Sequence, residues 1–107
     1  MAVTKYPLQA AGIEGSGEYR EVVSPYGGDV IAEVEQAGET AVEAGLAQAA
    51  NTFKTEVLPP YQRADILHKL AVQMKDRHEE LSLTIAQEGG KPLKDARIEV
   101  TRAVNTV

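Results

Sequence analysis

Apolar residues recur at helical spacing along the second half of the chain. After Pro59-Pro60, the residues Ile66, Leu67, Leu70, Ala71 and Met74 share one face, while Arg63, Asp65, His68, Lys69, Gln73 and Lys75 occupy the other. Pro60 suits a first helical position, because its fixed φ is already helical and its missing N–H would have no partner there. The pattern predicts a long amphipathic helix over residues 60–76 with one side owed to a core. Upstream, Val42, Leu46, Ala49, Ala50 and Phe53 predict a helix over 39–54, with Glu39 and Glu43 near the N-terminus, where the helix dipole favours acids. Gly45 weakens that helix by roughly 1 kcal/mol against alanine, and close packing against a neighbour is its expected reason. Downstream, Asp76 is placed to cap a helix that carries Leu81 and Ile85, with Leu83 or Ala86, and stops at Gly89-Gly90. A last helix starts at Pro92 and is expected to bury Leu93, Ala96, Val100, Ala103, Val104 and Val107.

The first third of the chain has the composition of strands. Residues 6–10 read as a short strand that Pro7 confines to a sheet edge or a strand start. Gly12, Gly15 and Gly17 mark a loop. The β-branched runs at 19–23 and 30–34, joined through Ser24-Pro25-Tyr26-Gly27-Gly28-Asp29, predict an antiparallel hairpin. Two strands alone are marginal in water, so a third strand or a helix must support them. The expected fold class is therefore α+β: an N-terminal β-hairpin of two or three short strands plus about four amphipathic helices. At 107 residues the chain is at most one domain, with strands and hairpin over 4–34 and a helical part over 39–107.

Composition narrows the function classes. One Phe and no Trp leave an aliphatic core, and no Cys means no thiol nucleophile, disulfide or thiolate metal site in this chain. The net charge of −5, with basic residues scattered among acids, argues against nucleic acid or an anionic membrane as partner. Neither a signal peptide nor a run long enough to span a membrane is evident, so the expected location is cytoplasmic. His68 and His78 lack acids at ligand spacing, and Glu79, Glu80 and Glu88 do not converge by spacing. Gly27-Gly28 and Gly89-Gly90-Lys91 are short of a phosphate-binding pattern and read as turns. Residue by residue, the chain carries no evident catalytic constellation.

Five segments in order nevertheless form one pattern. They are Tyr6-Pro7-Leu8, the stretch from Ser24-Pro25-Tyr26-Gly27-Gly28-Asp29 to Val34, and the alanine-rich helix ending at Phe53. Leu58-Pro59-Pro60-Tyr61-Gln62-Arg63-Ala64-Asp65-Ile66-Leu67 and Glu88-Gly89-Gly90-Lys91-Pro92-Leu93 complete it. This pattern resembles the N-terminal quarter of the aldehyde dehydrogenase superfamily. The opening Tyr-Pro-Leu and the run from Arg97 to Ala103 are most similar to the lactaldehyde and non-phosphorylating glyceraldehyde-phosphate branch.

The resemblance implies a parent enzyme that oxidises an aldehyde to a carboxylic acid with NAD or NADP. In that family the catalytic and cofactor-binding residues come later, and this portion forms the outer N-terminal part of the cofactor-binding domain. The expectation is thus a single incomplete domain over 1–107 with no catalytic or cofactor-binding residue of its own, its last helix running to the end without a cap. Its expected partners are the remainder of the parent enzyme and further copies of itself, through the faces Ile66-Leu70-Met74 and Val100-Ala103-Val104. The one site the resemblance implies here is for a monovalent cation, held by the Val23 carbonyl and the Glu88 carboxylate. The alternative reading is a standalone, non-catalytic helical module that binds a protein partner.

Overall fold

A computed structural model describes residues 2–107 and shows an α+β chain of three strands and four helices. The elements are β1 (Thr4–Tyr6), β2 (Tyr19–Val23), β3 (Val30–Glu35), α1 (Gly38–Thr55), α2 (Pro60–Asp76), α3 (His78–Gly89) and α4 (Leu93–Thr106). They group into two compact units. One contains the strands and α1, up to Val23 and again over Asp29–Val57; the other contains the Ser24–Gly28 turn and everything from Leu58 onward.

In the first unit the strand order is β1-β3-β2, with β2 antiparallel and β1 parallel to the central β3. The hairpin is the one expected from the β-branched runs. Beyond its ladder, Ser16 N–H donates to Gln36 O at 3.0 Å and Gln36 N–H to Glu18 O at 2.8 Å. The first strand differs from expectation: it lies before Pro7 rather than across it. Pro7 offers no N–H to a ladder, and the next amide, Leu8 N–H, donates to the Glu35 carboxylate at 2.8 Å instead.

Helix α1 has nearly the expected bounds but not the expected buried face. Ala41 is its one buried residue, and Val42, Leu46 and Phe53 are exposed, Phe53 at 86%. Its contacts run to the loop before β2: Gln48 Nε2 donates to Ala11 O at 3.1 Å. A Cβ on Gly45 would meet Ile13 Cδ1 at 3.7 Å, an ordinary van der Waals contact, so close approach does not require this glycine.

In the second unit α2 begins at Pro60 as the proline pattern requires. It runs through Asp76, and Arg77, at φ −99° and ψ 20°, forms the joint to α3. Asp76 therefore does not cap α3: it is still helical, and the cap position belongs to Arg77. Helix α3 ends on Gly90 in the left-handed conformation at φ 63°, where glycine avoids the Cβ penalty. The chain then doubles back into α4. Ala96 is fully buried, Val100 is 2% exposed, and Ser82 on α3 is buried with its hydroxyl donating to His78 O at 2.7 Å. Small residues at this crossing let the helices approach closely. Leu93, Ala103 and Val104 are half-buried, whereas Val107, past the last helical residue, is exposed.

Candidate functional site

Polar side chains meet where α3 passes α4. Arg97 forms a two-pronged pair with Glu79, Nε to Oε2 at 3.0 Å and Nη2 to Oε1 at 2.6 Å. That hydrogen bonding holds the Glu79 carboxyl below the usual carboxylate range; desolvation opposes it, and the charges of Arg97 and His78 add to the lowering. It also makes Arg97 harder to deprotonate. At the joint, Arg77 Nε donates to Glu80 Oε2 at 2.8 Å and lowers the Glu80 carboxyl in the same way. Lys91, ahead of α4, pairs with Glu99.

Beside the Arg97 pair lies a cleft of about 290 Å³ lined by Lys75, His78, Thr101, Val104 and Asn105. His78 Nε2 and Thr101 Oγ1 are 3.0 Å apart, a spacing that invites comparison with a hydroxyl nucleophile and its base. The hydroxyl is shared with a backbone acceptor. Thr101 Oγ1 also lies 3.0 Å from Arg97 O, the carbonyl four residues back on its own helix, so its hydroxyl has two partners within reach and the roles at the His78 contact follow the imidazole tautomer. Sequence reasoning gave no hint of this pair, because 23 residues and a helix reversal separate its members.

Val23 is the last residue of β2, next to an irregularity in the β2–β3 register, and is exposed. Glu88 lies in the last turn of α3 and is exposed. Val23 belongs to the first unit and Glu88 to the second. Among the described residues no three His, Asp or Glu side chains are grouped to hold a metal ion. A dinucleotide does not fit the strand-to-helix turn that is present. Between β3 and α1 it offers Gln36-Ala37-Gly38 rather than a glycine-rich loop, and Glu39 in the first turn of α1 would repel a pyrophosphate. No helix among the described residues is long and apolar enough to cross a membrane.

Comparison with known proteins gives this geometry its setting. The model of the aldehyde dehydrogenase family matches residues 13–107, and the chain belongs to that family. It is 35% identical over 102 residues to malonate-semialdehyde dehydrogenase 2 of Shouchella clausii, covering 94% of this chain and 21% of that protein. It is 37% identical over 91 residues to lactaldehyde dehydrogenase of Methanocaldococcus jannaschii, covering 83% and 19%. Among solved structures, aldehyde dehydrogenase 21 of Physcomitrella patens, in complex with its product succinate, is similar over 99% of this chain and 23% of its own. The TM-score is 0.86 and the identity 33%. The chain thus spans about a fifth of the length of the curated relatives it matches.

Proposed function

We propose that this chain serves as the N-terminal portion of an NAD(P)-dependent aldehyde dehydrogenase that converts an aldehyde to its carboxylic acid. The observation that supports this reading most is the family match across 13–107 by a chain that covers only a fifth of its relatives. The 107 residues contribute scaffold rather than chemistry. They contain no cysteine, and the turn after β3 does not offer a glycine-rich loop to a dinucleotide. Catalysis and cofactor binding then fall to the remainder of the parent enzyme, and both compact units are parts of one larger, cytoplasmic, oligomeric domain. A branch specific for lactaldehyde or glyceraldehyde phosphate is the preferred substrate class.

The test is aldehyde-dependent NAD(P)H formation, measured on the 107-residue chain and on a polypeptide of the relatives' full length that begins with it. Turnover is expected only from the longer chain, and turnover by the 107 residues alone would overturn the reading. The same assay addresses the proposed cation role of the Val23 carbonyl and the Glu88 carboxylate, which rests on the resemblance alone. Glu88→Gln is expected to weaken any dependence of the longer enzyme on monovalent cations, because it replaces the charged oxygen ligand with a neutral one.

A further inference from the structure

Glu35, the last residue of β3, is half-buried and its carboxylate is shared by two backbone donors nine positions apart. Leu8 N–H reaches Oε2 at 2.8 Å and Gly17 N–H reaches Oε1 at 3.1 Å. Gly15 makes room for it: a Cβ there would fall closer than 3.0 Å to Cδ and to both carboxylate oxygens. The side chain is therefore seated in the loop that joins β1 to β2. We propose that the Glu35 carboxylate is a latch that decides whether β1 stays docked on β3 or is released.

Apart from its three-residue parallel ladder to Ala32, Glu33 and Val34, the rest of β1 is weakly held. It has three residues, all exposed, so apolar burial contributes little to its docking. Lys5 reaches Glu33 at 3.4 Å and stands 5.0 Å from the Tyr19 ring centroid, but its side chain is largely in solvent, where such contacts are weak. The other end of the loop is fixed independently of Glu35. Ser16 binds Gln36 O through both its amide and its hydroxyl, and Gln36 N–H binds Glu18 O. Cutting the latch thus frees the Leu8 end and β1 while leaving the β2–β3 hairpin intact. Released, β1 turns the central strand β3 into an open edge.

The experiment is residue-resolved amide hydrogen exchange on the full chain, comparing wild type with Glu35→Ala, Glu35→Gln and Gly15→Ala. A hydrogen bond to a charged acceptor predicts exchange at least about tenfold faster at Leu8 when the carboxylate is removed. The same acceleration is expected over Thr4–Tyr6, with the β2–β3 ladder unchanged. Gly15→Ala, which keeps the carboxylate but evicts it from its seat, is expected to reproduce the Glu35→Ala pattern, and Glu35→Gln to fall between. Unchanged exchange over β1 in Glu35→Ala would overturn the proposal. So would equal acceleration or loss of structure across β1, β2 and β3, because the carboxylate would then be part of one cooperative sheet and not a latch.

Discussion

In α4, Ala96 is fully buried and Val100 is 2% exposed, whereas in α2, Ile66 and Leu70 remain 53% and 42% exposed. Both helices carry an apolar stripe at the same period. What separates them is the size of the residues on the stripe and what lies opposite. The centre of α4 is small and faces Ser82, so α3 comes close enough to exclude water, and the Glu79–Arg97 and His78–Thr101 pairs close the margin. The stripe of α2 is large, and only Ala71 and Met74 in its last turns are half-buried. Periodicity shows that a face is owed to something. Side-chain size at a crossing shows whether the neighbour is near.

The sharpest way to break this contrast is to enlarge the small side. Ala96→Leu is expected to cost about 3 kcal/mol by overpacking the α3–α4 crossing, read from urea denaturation of the chain. A loss below about 1 kcal/mol would show that the crossing has slack. On α2, Ile66→Glu is expected to change stability by less than about 1 kcal/mol, since about half of that side chain is already in water. If the α2 face drives the self-association proposed for this chain, the same variant lowers the sedimentation mass toward that of the monomer; an unchanged mass would move the association to another face.

The smallest expected effect is electrostatic. Glu79 and Glu80 have lowered folded values, so their stabilising contribution is present above the pKa of an unfolded glutamate and is lost as pH falls through the folded values. Amide exchange in the first turns of α3 is expected to be unaffected by this linkage above about pH 5, once the intrinsic pH dependence of exchange is removed. Protection there should then weaken below about pH 4, and less so in high salt, where the exposed pairs are already screened. Equal acid sensitivity in α2 would mean that the pairs do not distinguish the two helices.

Much of the architecture was legible because its signals are local. Pro60 and Gly90 mark the ends of α2 and α3 through φ alone, and the β-branched runs on either side of Ser24–Gly28 give the hairpin. The extent of β1 was not legible, since it depends on Leu8 finding the Glu35 carboxylate 27 residues away. The joint at Arg77 was misplaced by one residue because Asp76 is a good capping type, yet α2 continues through it. The expected burial of Val42, Leu46 and Phe53 also failed. The side of α1 that carries Gly45 and Gln48 meets the loop, and spacing alone cannot say which side of a helix has a neighbour within the chain. The His78–Thr101 pair lay beyond any local signal.

Gly90 has a consequence for rebuilding the chain. Its φ of 63° excludes most side chains, and a Cβ there would also meet Pro25 Cγ at 3.0 Å, within the same compact unit. Two independent constraints thus converge on one hydrogen atom. A circular permutation or an inserted tag at this turn would have to satisfy both at once. Gly12 shares the left-handed φ, at 73°, but a Cβ there would meet nothing within 4 Å, and the surrounding residues 10–12 are exposed, so only the first constraint applies. An insertion is therefore expected to be tolerated better beside Gly12 than at the turn between α3 and α4, provided that it spares the Ala11 carbonyl that Gln48 binds.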